Sequence, residues 1–516
     1  MKKSLSIWLL TGTTLSLIVL SLIIRPAADA QSSTTSLSSV PKSWDDPKLT
    51  DYRLPLAGLG KPPLLLDARH YYALPESNRK TYPVYSPDKE PEGYLDFLKK
   101  QKPQPLVDIS KLKTEADWIA AGREVFYGRE VPRFSGNEEN IQLIRNPAVL
   151  KMYRLPTTKD GIILGLRYVV TDEGKVTLGT DTCAMCHVQI HPDGQVIEGA
   201  PNNRTPFGPL MGDLTRRYAK ISPQFLETRR LRHMREDYRV PYLKDDPNLA
   251  LLALPVEEIA SLYDSHPLGV QERSNTSLLY PVKIANLIGI RDLKFFDRTA
   301  TSRQRDISDL MRYCGLVGDV TDALTVYGEG AGAALNLTNM GLGNGIHRTP
   351  DPLLYALAKY LYSLKPPINP NHNEAAALEG AKVFKKAGCI KCHVPPLYTN
   401  NRIMPVDGFH TAHDNKLSEA MNFSVGTDPN LALKTRKGTG FYRVPSLRML
   451  WLYDCFLHDG SVGSLDELFD AARLKNNFHS SNLPASVPSQ AVPGHVYGLE
   501  LSVEDRNRLV AFLKTL

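Results

Sequence analysis

The pentapeptide Cys-X-X-Cys-His occurs twice, as Cys183-Ala184-Met185-Cys186-His187 and as Cys389-Ile390-Lys391-Cys392-His393. It is the attachment signature of c-type haem: the two thiols form thioethers with the vinyl groups, and the histidine turns back beneath the ring to ligate iron. With 6 Cys and 13 His in 516 residues, chance supplies about 0.002 such matches, so two occurrences are signal. The expectation is two covalently bound c-type haems, with Cys183, Cys186, Cys389 and Cys392 as attachment points and His187 and His393 as proximal iron ligands. The fold must therefore build a pocket around each pentapeptide.

The N-terminus points to the compartment. Lys2 and Lys3 precede an apolar run from Ile7 to Ile24, and Pro26-Ala27-Ala28-Asp29-Ala30 follows with an Ala-X-Ala cleavage pattern. Residues 1–30 read as a secretory signal peptide, with an uncleaved membrane anchor as the alternative, and the folded part is expected in the periplasm or outside the cell. The two remaining cysteines, Cys314 and Cys455, are either bridged there or separately buried. The formal charge of +7 is scattered along the chain, too mild a balance for a nucleic-acid ligand. It suits an acidic redox partner, such as a small electron-donor protein or cytochrome, or else serves solubility alone.

Residues 31–113 begin Ser/Thr-rich and continue crowded with proline and tyrosine, which predicts a tether and an irregular arm with little regular structure. The rest is an internal duplication. Ala121-Gly122-Arg123-Glu124-Val125-Phe126 precedes the first motif, and Glu379-Gly380-Ala381-Lys382-Val383-Phe384 precedes the second. The amphipathic helix Leu357 to Leu364 has its counterpart in Leu509 to Leu516. The predicted fold class is mainly α: two cytochrome c-type domains, 114–367 and 368–516, each binding one haem, with loop insertions in the first. Among these insertions, Ile162 to Val170 and the Thr171-Asp172-Glu173-Gly174 turn predict a hairpin. Ser222 to about Val282 is a second long addition.

Tyr442-Arg443-Val444-Pro445-Ser446-Leu447-Arg448, followed by Phe456-Leu457-His458-Asp459-Gly460-Ser461, resembles the C-terminal domain of bacterial di-haem cytochrome c peroxidases. Around the first motif the echo is Pro281-Val282-Lys283-Ile284-Ala285-Asn286-Leu287, then Phe295-Phe296-Asp297-Arg298. The resemblance covers residues 115 to 516. It implies membership of a superfamily that includes peroxide-reducing enzymes, a protein-modifying relative and di-haem rubber oxygenases; the large size and the N-terminal arm look most like the last branch.

What occupies the face opposite each proximal histidine decides the function, since a filled sixth site relays electrons and an open one binds an oxidant. The resemblance implies a distal ligand just upstream of the last helix, and His495 stands there; His458 is its rival, with Met404 and Met421 behind. In these peroxidases a distal histidine often follows the first proximal one by about sixteen residues, but Asn203 occupies that position here. His191 is too close to His187 to reach around, so the first haem is expected to be open and reactive toward peroxide or dioxygen. His233, His266 and His347 are the residues that would instead close it. The family glutamate acid/base has no match, leaving Asp319 as substitute, with Phe296 expected in the distal pocket or between the haems. Arg448 is expected to pair with a haem propionate. Calcium between the domains is a further implication of the resemblance, without matched ligands. The expected activity is that of an exported di-haem oxidoreductase, peroxidase-like, with a dioxygenase acting on an apolar substrate or a pure electron carrier as alternatives.

Overall fold

A computed structural model describes residues 39–516, apart from 48, 130–141, 144, 180–181, 225, 228–237, 273–276, 319–323, 328–346, 372, 411–416, 484–490 and 492. The signal-like segment and Asp319 and His233 lie outside the described residues. No helix among the described residues is long and apolar enough to cross a membrane.

The longer helices are α1 (Glu115–Gly128), α2 (Phe207–Ile221), α3 (Val256–Asp264), α4 (Ile307–Gly318), α5 (Asp351–Ser363), α6 (Glu374–Lys386) and α7 (Val503–Lys514). Thr114 starts α1 through a reciprocal cap, its hydroxyl accepting from the Asp117 N–H while the Asp117 carboxylate accepts from the Thr114 N–H. Ser502 caps α7 in the simpler way. In the first repeat α1 crosses α5 at Gly122, where a Cβ would lie 2.0 Å from the Ala356 carbonyl oxygen and 2.6 Å from the Tyr360 Cβ. In the second, α6 crosses α7 at Gly380, where a Cβ would lie 2.2 Å from the Arg508 carbonyl oxygen and 2.3 Å from the Phe512 Cβ. The same glycine in the same crossing shows that the duplicated sequence folds twice into the same helix pair. Each crossing has its own core. One is built from Trp118, Val125, Phe126, Leu354, Leu357 and Leu361, the other from Val383, Phe384, Leu509, Phe512 and Leu513. The connection between α5 and α6, where the domain boundary was expected near residue 368, is non-helical.

The mainly-α expectation is corrected to a mixed architecture, with 37% helix and 13% strand. The expected hairpin forms as β2 (Ile162–Asp172) and β3 (Lys175–Gly179), turning at Glu173-Gly174, where Gly174 has φ +81. The arm also contributes strand: β1 (Thr81–Tyr85) adds to the free edge of β2 in antiparallel register. Its alternating threonine, tyrosine and valine favour that setting, and Pro83 is tolerated because β1 is an edge. The arm also contains the short helices Leu49–Tyr52, Ala68–Tyr72 and Tyr94–Lys99, so its irregularity was overstated. It is tied down by polar contacts to the first repeat. Ser43 Oγ and Tyr72 Oη donate to Asp351 at 2.5 and 2.9 Å, and Asp46 accepts from Arg305 and Arg312 beside the fully buried Asp309. The Ser222–Val282 insertion builds a separate small core from Tyr238, Leu251, Ile259, Tyr263 and Leu278.

Candidate haem-binding sites

The two pentapeptides fold alike. In each, the histidine N–H donates to the carbonyl of the first cysteine at 2.9 Å, closing one helical turn. His187 Nδ1 then lies 2.9 Å from the Ala285 carbonyl, and His393 Nδ1 lies 3.0 Å from the Tyr398 carbonyl. A carbonyl partner on Nδ1 makes that nitrogen the N–H donor and leaves Nε2 with a free lone pair, the orientation an iron ligand requires. Burial also holds His393 below its ordinary pKa, in the neutral form that binds metal. Burial pushes the Cys389 thiol up to about 11. A thiol held neutral suits consumption in a thioether and not a thiolate metal site.

A second repeat follows each motif and was missed at the sequence level, although Asn202-Asn203-Arg204 and Asn400-Asn401-Arg402 are plainly the same tripeptide. The first asparagine N–H of each donates to the carbonyl of the second cysteine at 2.8 Å, pinning the motif from behind. The second asparagine crosses to the other domain: Asn203 Nδ2 donates to the Leu452 carbonyl at 2.6 Å, and Asn401 Nδ2 donates to the Asp292 carbonyl at 2.9 Å. Asn203 is thus an interface residue. Two backbone bonds repeat the pattern, Lys283 N–H to the His458 carbonyl and Arg443 N–H to the Arg298 carbonyl, both at 2.9 Å. Lys283 and Arg443, Arg298 and His458, and Phe296 and Phe456 stand at one constant offset in sequence. The two repeats therefore exchange reciprocal backbone hydrogen bonds at equivalent positions.

The second motif opens on a cavity lined by Cys389, Cys392, His393 and His495, walled by aliphatic and aromatic side chains. The enclosed space amounts to about 220 Å3, and the cavity opens to solvent beyond it. His495 stands in the left-handed region at φ +49, a conformation that costs a residue with a Cβ roughly 1–2 kcal/mol. It is held there by its N–H on the Val425 carbonyl at 2.7 Å and by Arg473, which donates to the Gly494 and His495 carbonyls at 2.8 and 2.9 Å. Its Nδ1 is shielded and without a hydrogen-bond partner. Burial, with the His393 and Arg473 charges adding to it, pushes His495 down to about 4. A strained, neutral histidine with an orphan ring nitrogen at a cavity shared with His393 fits a metal ligand.

Three cations also line this cavity: Lys283, Arg298 and Arg443. Among the described residues none of them has a carboxylate ion-pair partner, and Nε of both arginines is buried and unpartnered. Burial pushes Lys283 down to about 7 and Arg443 down to about 10. Cations without a carboxylate ion-pair partner beside an apolar cavity fit a ligand that brings its own carboxylates, as a haem brings its propionates. The donor set, the cavity and the missing anions all suit haem.

The other expected site residues fall as follows. Arg448 is placed at the surface, donating to Asp292 at 2.7 Å, and does not line the cavity. His458 does line it, but its ring lies along Tyr442, with Nε2 3.4 Å from the Tyr442 hydroxyl and 4.0 Å from Asp428. Met404 and Met421 are buried with Cys392 and Val444. Phe296 is buried in the core of the first repeat and stacked on Tyr313 at 4.5 Å. His191 Nε2 lies 3.3 Å from Gln189, and His266 Nε2 lies 3.0 Å from the Leu278 carbonyl in the insertion core. His347 keeps Nε2 buried and unpartnered ahead of α5. Cys314 and Cys455 are unbridged, one on α4 and the other buried beneath Lys283. Among the described residues no group of three or more His, Cys, Asp or Glu is placed to hold a metal ion, so calcium has no such ligand set there.

No family model and no curated protein matches the chain. Solved structures that align with it include hydrazine synthase from Kuenenia stuttgartiensis, at 17% identity over 59% of this chain and 92% of that one, with a TM-score of 0.27. A MauG-like protein associated with microbial copper homeostasis aligns at 18% identity over 36% and 67% of the two chains, with a TM-score of 0.21. A variant of the di-haem peroxidase BthA from Burkholderia thailandensis aligns at 17% identity over 50% and 76%, with a TM-score of 0.26.

Proposed function

We propose that this chain is an exported di-haem c-type oxidoreductase that takes electrons singly at its second haem site and uses them at its first to reduce a small oxidant, peroxide before dioxygen. The observation that carries the reading is the shared cavity of the second motif, where His393 and His495 stand with both cysteines. A covalently held haem supplies one-electron redox chemistry, and a small oxidant needs an open sixth position on its iron.

The residues divide the work. Tyr398 and Ala285 carbonyls fix the tautomers of His393 and His187. Arg473 and Val425 hold the loop that presents His495, which closes the second site to oxidants. Lys283, Arg298 and Arg443 neutralise carboxylates at the domain junction. The reduction balances as two electrons and two protons per peroxide, giving two waters, with the electrons drawn from a small one-electron donor protein.

The test is a redox titration of turnover. The purified protein is reduced by two electrons without air and mixed with one equivalent of hydrogen peroxide. Full reoxidation of both haems with loss of the peroxide is expected. Reoxidation no faster than in a peroxide-free control would overturn the reading.

A further inference from the structure

The two haem sites need an electronic connection, and the resemblance pointed to an aromatic side chain of the Phe295–Phe296 loop. Neither ring lines the cavity of the second motif. Phe296 is stacked on Tyr313 inside the helical core of the first repeat, and Phe295 is buried with Leu54, Ala300, Ile403 and Phe441. A different ring reaches from the junction into that cavity. Tyr453, from the second domain, lines the cavity that holds Cys389, Cys392, His393 and His495. Its hydroxyl accepts a hydrogen bond from the Asn286 N–H at 2.8 Å. Asn286 is covalently joined to Ala285, whose carbonyl accepts from Nδ1 of His187 at 2.9 Å. The ligand of the first site and the cavity of the second are therefore linked by one peptide unit, two hydrogen bonds and one phenol ring.

We infer that Tyr453 is the electron-transfer bridge between the two haem sites, coupling them through the Asn286 amide and the Ala285 carbonyl. The inference rests on the two-haem reading of the motifs, whichever oxidant is used. Electron tunnelling decays less steeply along bonds and hydrogen bonds than across gaps, so an unbroken chain of this kind dominates a through-space route of similar length. The surroundings also define how Tyr453 acts. Lys283 Nζ lies 4.0 Å from the centroid of its ring and donates a 3.0 Å hydrogen bond to the Cys455 carbonyl. A cation over the ring face is attracted to the π-system and opposes removal of an electron from it. Tyr453 serves as coupling medium in its closed-shell form. In each event one electron leaves the His393 side, which is oxidised by one unit, and arrives on the His187 side, which is reduced by one unit; no proton moves and no bond forms or breaks. Tyr453 is a positioning residue in this role, since it touches neither oxidant nor donor.

The test uses the full-length holoprotein and three forms, native, Tyr453→Phe and Tyr453→Leu. Pulse radiolysis reduces one haem, and the absorbance changes that follow report transfer between the two. Both midpoint potentials and the haem content are measured in each form. Several-fold slowing is expected in Tyr453→Leu, which loses ring and hydrogen bond. A smaller slowing is expected in Tyr453→Phe, which keeps the ring and loses only the bond to Asn286. Both midpoint potentials should be unchanged, which separates lost coupling from structural damage. Unchanged transfer in both variants at unchanged potentials overturns the bridge and leaves the proposed function standing. Intact transfer with no reaction toward peroxide or dioxygen overturns the function and leaves the bridge. A preparation carrying fewer than two covalent haems overturns both.

Discussion

Adding one methyl group at each helix crossing probes the duplicated architecture that places both haem sites. In Gly122→Ala the new Cβ would sit 2.0 Å from the Ala356 carbonyl oxygen, about 1.5 Å inside the 3.5 Å at which such contacts become favourable. Ala356 belongs to the backbone of α5, so no rotamer change relieves the contact, and the helices must part by about 1 Å along their full interface. Overpacking of this kind costs roughly 1–3 kcal/mol and sometimes more. Replacing a mid-helix glycine by alanine returns about 0.8–1.0 kcal/mol of helix propensity. A backbone obstacle belongs at the upper end of the first range, so the net loss is about 1–2 kcal/mol. Gly380→Ala, with its Cβ 2.2 Å from the Arg508 carbonyl oxygen, should lose a similar amount in the other repeat. The assay is guanidinium denaturation followed by far-UV circular dichroism and by the haem Soret band, since two domains need not unfold as one. If either variant gained the full propensity increment, the close crossing would be wrong, and with it the equivalence of the two repeats.

Three further outcomes follow from the sites. His495→Gly relieves the left-handed strain at φ +49, worth about 1 kcal/mol, while removing the second histidine; the reduced variant should take up carbon monoxide at the second haem where the native protein does not, as seen in its absorption spectrum. Arg443→Gln removes a cation from the cavity wall and should lower the midpoint potential of the second haem, because a nearby positive charge favours the reduced iron; an unchanged or raised potential in a spectroelectrochemical titration would refute its place there. Glu198 tests pH dependence: burial alone would raise its pKa, but the Arg123 guanidinium and the Tyr360 and Tyr127 hydroxyls outweigh burial and hold it below the ordinary value. Its contribution is complete above the unfolded value near 4.3 and is lost as pH falls through the lower folded value. Glu198→Gln should therefore cost about 1–2 kcal/mol at pH 7 and flatten the acid limb of a stability-against-pH curve.

What the sequence revealed and what it hid have physical explanations. The helix pairs were legible because Gly122 and Gly380 sit in matching apolar periodicity, and the hairpin because Ile162 to Val170 ends at a Glu-Gly turn. His495 was singled out by the family position just upstream of the last helix, and it lines one cavity with His393. The strand Thr81–Tyr85 was hidden because its partner lies far away in sequence and a proline interrupts it. The cations of the cavity were missed for a related reason. Arg298 and Lys283 belong to the first repeat yet line the cavity of the second, and only the reciprocal backbone pairing of the two repeats brings them there. Arg448 was expected to hold a propionate because a guanidinium suits a buried carboxylate, but its side chain pairs with Asp292 instead. The repeated Asn-Asn-Arg was visible and would have pointed to the interface, since asparagine can satisfy a carbonyl across a boundary that a helix cannot reach.

The most direct measurement of the central claim is electron paramagnetic resonance of the protein as isolated and after one-electron reduction, each with and without hydrogen peroxide. Two ferric signals are expected in the isolated protein, one of them a bis-histidine low-spin signal from the His393–His495 site that peroxide leaves unchanged. After one-electron reduction, the signal of the His187 site should change on adding peroxide. Two low-spin signals that persist in every state and respond to no oxidant would contradict it and leave an electron carrier.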